Sequence, residues 1–383
     1  MRRYLIQRIG QNLFTFFLFL TLVYLLLDAQ PGDFGNIYLN DSRLTAEQRQ
    51  VIREQLGLNR PVMERYLSWL GSLFQGDLGL SFSNSMRPVI SIIAERAPRT
   101  IILFLSVTIL ANLLGFAMGK MLAWRRGGAV EYAATIAGVG LFTVFVPWFA
   151  LMMIWLFAYK FNLFPLGKFI DPVLWREATV EANTIFLRMM LTGLLTAAAW
   201  ISWLFATRRF NPGWRKAARW VGTLIILTLP ITYWATNGLG RYAADILHHI
   251  ALPVLTITIV NFAGTMLLTR SSMLETLRED YIMAARAKGL PEAMIRDKHA
   301  ARNAMLPTVT SFILALAFVM NGGVITETIF SWPGMGLTLL KAAQTQDIPL
   351  VIGSLVFTGA LALTAHLGAD LLYAFLDPRI RVS

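Results

Sequence analysis

Few residues in this 383-residue chain could do chemistry: four histidines, no cysteine and 22 acidic side chains. His248, His249, His299 and His366 make no ligand spacing such as HExxH, and without cysteine there are no disulfides or thiolate metal sites. The pair His248-His249 reads as two interfacial residues or as half of a metal site. GFAMGKM (115–121) imitates a phosphate loop, but three residues rather than four separate its glycines, and Met121 follows Lys120. No Walker A pattern occurs elsewhere, so the chain is not expected to bind or hydrolyse ATP. No nucleophile with its base and no carboxylate pair can be assembled, so neither a catalytic residue nor a metal site is expected. What remains are polar groups inside apolar runs. His366 and Asp370 stand at i and i+4, and an ionisable group at the centre of a membrane helix costs roughly 2.5–3.5 kcal/mol. They read as a proton relay or as a structural anchor; Glu327 and Asn261 pose the same choice.

Such groups imply a membrane scaffold, and composition supplies one. The chain is 56% hydrophobic and 15% charged, where a soluble domain is about 25% charged. A multi-pass membrane protein is expected, with lipid as its surroundings. The formal charge of +12 would suggest nucleic acid in a soluble protein. Here the cations gather in short segments: Arg2, Arg3 and Arg8; Lys120, Arg125 and Arg126; Arg208 to Arg219; Arg270 to Arg302; Arg379 and Arg381. That pattern follows membrane orientation, with these segments inside and both termini cytoplasmic. No nucleic-acid partner is expected.

The plan along the chain is an all-α bundle of about eight transmembrane helices. Residues 1–27 form a first helix, retained because LLLDAQPGD offers no small-x-small cleavage site. Residues 28–97 form an extracytoplasmic segment. It carries an amphipathic helix, TAEQRQVIREQLGL, with Thr45 as cap and Gln48 at the capping-box position. Gly71, Gly76, Asp77 and Gly79 mark turns. Residues 98–376 form the transmembrane domain, and 377–383 a cytoplasmic tail. Within it Gly115 and Gly119 make a GxxxG pair suited to close helix packing, and Pro147 lies inside the third span, 133–158. Two further apolar runs at about 186–236 read as an inserted transmembrane hairpin. Asn321, Gly322 and Gly323 interrupt the seventh span, 308–330. Glycines and an amide at that depth mark a translocation pathway or helix packing.

The segment 280–307, DYIMAARAKGLPEAMIRDKHAARNAMLP, has the clearest internal design. Tyr281, Ala284, Ala285 and Lys288 recur at i, i+3, i+4 and i+7, one face of a helix. Gly289 stops that helix, and Pro291 can occupy the first turn of a second. Arg286 and Lys288 place the segment on the cytoplasmic side. Two short helices set at an angle would make a knob, with alanines letting a partner approach and Tyr281 filling its pocket.

AARAKG followed by RNAMLP resembles the EAA loop of ABC-importer membrane subunits. More closely, EDYIMAARAKGL, KHAARNAMLP, ETIFSWPGMG and LLYAFLDPRIR resemble the B-type permeases of dipeptide, oligopeptide and nickel uptake systems. The resemblance covers roughly residues 1–170 and 241–383. Ala284, Ala285 and Gly289 match the two alanines and the glycine of the motif, while Met283 stands where the general motif has glutamate. The resemblance implies a type I ABC-importer fold from about Pro98 onward, with a coupling loop at 271–307 that docks on a cytoplasmic ATPase. It implies a bacterial inner-membrane subunit forming half of a pathway for di- or oligopeptides. It also implies three kinds of partner: a C-type permease, two cytoplasmic ATP-binding subunits that hold ATP and Mg, and an extracytoplasmic substrate-binding protein. The same architecture would serve nickel chelates or oligosaccharides. A secondary transporter would need ionisable coupling residues in broken helices near the midplane; the chain has few and shows no inverted repeat.

Overall fold

A computed structural model describes residues 2–29, 45, 47, 60–318 and 323–376. The amphipathic helix expected from Thr45, Asn321, Gly322 and the tail 377–383 lie outside the described residues. The chain divides into two compact units, one of Met1–Phe149, Ile257–Thr328 and Pro333–Ser383, the other of Ala150–Thr256 and Ile329–Trp332.

In the first unit, α1 (Arg2–Asp28) and α2 (Val62–Phe74) are followed by a two-stranded hairpin, β1 (Leu80–Ser81) and β2 (Arg87–Pro88). The strands are antiparallel with Leu80 opposite Pro88. Then come α3 (Val89–Trp124) and α4 (Ala129–Thr143). Gly71 lies inside α2 rather than in a turn; its neighbours Trp69, Leu70 and Leu73 pack against Tyr66 and Tyr24, which outweighs one glycine's poor helix propensity. Gly76 and Gly79 do turn the chain, both at φ +80°. The second span is far longer than its apolar run, because α3 begins at Val89 and passes through Pro98.

The third span is broken. Pro147 lacks an N–H for the Thr143 carbonyl and its ring crowds that carbonyl. Accordingly α4 ends at Thr143, Val144 is extended, and α5 (Val146–Met153) starts anew before loosening into a π-helical stretch, Ile154–Lys160. The second unit continues with α6 (Ala182–Ala206) and α7 (Pro212–Thr236), and with the first half of α8 (Gly240–Thr276). The second half of α8 belongs to the first unit, as do α9 (Asp280–Ala287), α10 (Glu292–Met294), α11 (Ala301–Phe318), α12 (Val324–Ile329) apart from its last residue, α13 (Met335–Gln344) and α14 (Ile348–Leu376).

Helices α6 and α7 run antiparallel, with Trp234 Nε1 donating to Thr192, Trp200 Nε1 to Thr223, and Arg219 Nε to Thr207 at the turn. Among the described residues, five helices are long and apolar enough to cross a membrane, or six if the broken pair 129–160 counts as one span. Of the remaining two expected spans, α7 is diluted by threonines, Trp220, Tyr233, Trp234 and Pro230, and 308–330 passes through residues outside the described ones.

Among the described residues, three apolar clusters help to hold the first unit. Val89, Ile92, Ile93 and Ala97 of α3 meet Met335 and Ala342 of α13 and Leu350 and Val351 of α14. Leu20 and Tyr24 of α1 meet Tyr66 and α14. The third cluster lies under the segment 280–307. The GxxxG pair behaves as its spacing predicts: a Cβ on Gly119 would lie 2.5 Å from the Met266 carbonyl oxygen, and one on Gly115 2.6 Å from Thr265 Cβ. Only glycine lets α3 and α8 approach that closely.

Candidate coupling site

Helix α9 ends as the glycine predicts. Gly289 adopts φ +71°, a left-handed conformation that costs an L-residue about 1–2 kcal/mol. Its N–H donates to the Arg286 carbonyl, and Leu290 N–H donates back to Ala285 at 3.3 Å. Those two bonds satisfy carbonyls that the helix end leaves open, the pattern of a Schellman cap. Pro291 is the N-cap of the next helix rather than part of its first turn. That helix is not a separate short element either. It runs from Glu292 through a π-helical stretch, Ile295–Ala300, directly into α11. No glycine or proline intervenes before Pro307, so nothing stops it.

The elbow is seated on its own protein. Ile282, Ala285, Ile295, Ala300, Ala301 and Ala304 close over Ala123 of α3 and Met273 of α8, with Leu290 at the margin. Ile282 is fully buried, which contributes about 1.5–3 kcal/mol. Ala285 therefore faces inward, which corrects the expectation that both alanines meet a partner. Tyr281, Met283, Ala284, Arg286, Lys288 and Gly289 are exposed. Tyr281 is not free: the Asn303 side-chain amide donates to its hydroxyl at 2.8 Å. Arg286 pairs with Glu292 at 3.2 Å across the glycine turn.

Polar ties join the elbow's surroundings to two long helices. Lys120 of α3 reaches Asp297 at 2.9 Å, and Arg296 bonds the same carboxylate. The Arg296 guanidinium, then the Lys120 ammonium, hold the Asp297 carboxyl well below the usual carboxylate range. Arg296 also stands over the Trp124 ring at 5.9 Å. Glu131, at the start of α4, is buried and bonds Arg270 of α8. Neither acid stood out in the sequence. The available sign was a lone carboxylate beside cations: Asp297 between Arg296 and Lys298, Glu131 after Arg125 and Arg126.

The other candidates are placed apart from this site. Glu327 is fully buried and accepts bonds from Thr100 Oγ1 at 2.7 Å and Leu337 N–H at 2.9 Å, anchoring the SWPGMG turn. His366 Nδ1 bonds the Ala362 carbonyl of its own helix; the Asp370 side chain lies outside the described residues. Gly323 sits against the Phe104 ring, which leaves no room for a side chain. His248 Nε2 donates to the Leu163 carbonyl, and buried His249 stands 3.3 Å from Asp245. Among the described residues no three side chains are grouped to hold a metal.

A scaffold of long apolar helices, packed through glycines and carrying an elbow at their ends, defines a helical integral-membrane protein. The chain belongs to the binding-protein-dependent transport system inner membrane components: that family's model matches residues 111–382, and its N-terminal companion matches residues 1–104. It is 30% identical over 362 residues to the oligopeptide transport system permease protein AppB of Bacillus subtilis, covering 94% of this chain and 93% of the relative. It is 29% identical over 381 residues to the dipeptide transport system permease protein DppB of Escherichia coli K12, covering 100% and 99%. The di/tripeptide permease DppB of Pseudomonas aeruginosa matches at 29% over the same length. The family role is that of a membrane component of a transport system, integral to the inner membrane.

Proposed function

We propose that this chain forms half of a peptide pathway and takes its driving force from cytoplasmic ATPases through the elbow at 280–291. The observation that carries this reading is the elbow's construction. Its outer face offers Tyr281, Met283, Ala284 and Lys288, while its inner face is wedged against α3, α8 and α11. A push on the outside is thereby delivered to three long helices at once. The partners are a C-type permease, two ATP-binding subunits holding ATP and Mg, and an external binding protein that delivers the peptide. Both termini lie in the cytoplasm, where the basic segments cluster. Closure of the ATPases drags the elbow, and the helices rock between outward-open and inward-open states. The relatives named for dipeptides and oligopeptides support peptide as the cargo. The outward leucines and tryptophans of the hairpin α6–α7 suit lipid.

The chain has no cysteine of its own, so cross-linking is direct. Ala284→Cys and Lys288→Cys should each cross-link to an ATP-binding subunit, with yields that differ between ATP-bound and nucleotide-free complexes. Modification of either thiol by an impermeant reagent outside intact cells would overturn the orientation and the coupling role together.

A further inference from the structure

Within the first unit, α3, α4, α8 and α11 line an open cleft of about 490 Å³, a volume in the range of small-molecule sites. Thr108 and Asn112 of α3, Asn261 and Thr265 of α8 and Ser311 of α11 line it, with Phe142 at one wall. Its lining among the described residues holds five amides and hydroxyls and no ionisable group. Asn261 lies nine residues before Arg270, the first residue of the basic cytoplasmic segment, about 14 Å along a helix, which is near the middle of a hydrocarbon core about 30 Å thick. Polar side chains at that depth are retained where they face protein or a water-filled path. Some of these are satisfied: Asn112 donates to the Thr108 carbonyl, and the Thr265 hydroxyl stands 3.5 Å from the Asn112 oxygen. The Asn261 amide and the Ser311 hydroxyl make no hydrogen bond within the described chain, and both residues are exposed.

We propose that Asn261 and Ser311, with Asn112 and Thr265, form a transit site for the peptide backbone. The inference rests on the peptide reading above and names the residues that meet the cargo. Along their length, between the two charged termini, peptides of different sequence share their amide N–H and C=O groups. A carboxamide and hydroxyls each offer both a donor and an acceptor, so they pair with either group of a passing amide. Without fixed charge the site forms no ion pair with a charged terminus and repels no side chain by like charge. Net exchange of water bonds for such neutral bonds is weak, so the cargo is passed on rather than retained, as conduction requires.

Uptake of labelled trialanine into proteoliposomes, by the complete transporter with ATP, tests this. Asn261→Leu should lower uptake about tenfold. In a second measurement Asn261→Cys and Ser311→Cys, each the only thiol of this chain, are treated with a small methanethiosulfonate reagent. Trialanine should slow their modification severalfold, and free alanine, which has no peptide bond, should not. Undiminished uptake by Asn261→Leu would overturn the proposal. So would reduced uptake without protection by trialanine, which would mark Asn261 as a packing residue. If the unsubstituted transporter imports no peptide, the functional reading fails first and the transit site with it.

Discussion

The Asn303 side-chain amide donates to the Tyr281 hydroxyl at 2.8 Å, joining residues 22 positions apart on the two arms of the elbow. The first arm is the exposed helix α9, and the second continues into α11. Tyr281→Phe keeps the ring and removes this bond. The site is exposed, so the loss of stability should stay within about 0.5–1.5 kcal/mol. If Tyr281 is held in a fixed orientation for a partner, peptide-stimulated ATP hydrolysis by the assembled complex should fall more than thermal stability does. Asn303→Ala should reproduce that fall without touching the aromatic ring.

Gly289 separates conformation from space. A Cβ there would meet nothing within 4 Å, so only the positive φ resists substitution. Gly289→Asn should be tolerated, because asparagine visits this conformation. Gly289→Ala should cost about 1–2 kcal/mol, and β-branched Gly289→Val more. Transport should follow the same order. Equal transport by all three variants would show that the turn need not be left-handed.

Ala284 and Ala285 are neighbours with opposite surroundings. Ala285→Leu adds volume to the packed cluster of Ile282, Ala300 and Ala304 and should destabilise the protein by about 1–3 kcal/mol. Ala284→Leu points outward and should leave the melting temperature in detergent unchanged while reducing transport-coupled ATP hydrolysis. The reverse pattern would place the docking face on the other side of α9.

Much of this site was legible in the residues. AKGL announced a helix stop, the GxxxG spacing announced close helices, and Pro147 announced a weakened span. The orientation of α9 was not legible. Helical periodicity tells which residues share a face, but the inward face is chosen by Ala300 and Ala304, which arrive from the returning arm. The bond from Lys120 to Asp297 spans 177 positions, and no local pattern carries it. The complete break before Pro147 was also hidden, since a proline in a membrane helix can be absorbed by neighbours. Burial of Ile282 went unread because an isoleucine in a cytoplasmic loop had no visible core to enter.

Asp297 gives the elbow an acid-sensitive tie. Its folded carboxyl titrates below the usual range because Arg296 and Lys120 favour the anion. The associated stability is present above the ordinary aspartate range and is lost as pH falls through the lower folded value. The pair is solvent-exposed, so its worth at neutral pH is about 0.2–1 kcal/mol. Asp297→Asn should melt slightly lower than the unsubstituted protein at pH 7, and the gap should close on acidification. A gap that persists at low pH would mean that the carboxylate's charge is not what ties α3 to the elbow.

Glu327 tests whether the far end of α3 is held by one side chain. Its two oxygens take Thr100 Oγ1–H and Leu337 N–H, while Thr100 Oγ1 in turn accepts Met335 N–H at 2.7 Å. All four groups are buried. Glu327→Ala leaves the Thr100 and Leu337 donors unpaired, at about 1–3 kcal/mol for each unsatisfied group. Glu327→Gln retains one acceptor, so the other donor must lose its partner or the amide must turn round to donate to Thr100. It should therefore fall between the alanine variant and the unsubstituted protein. Thr100→Val removes the hydroxyl that links carboxylate to turn, so combining it with Glu327→Ala should cost less than the sum of the two separate changes. Melting curves of the four proteins in one detergent give that coupling, and simple additivity would show that Thr100 and Glu327 hold α3 and the SWPGMG turn independently.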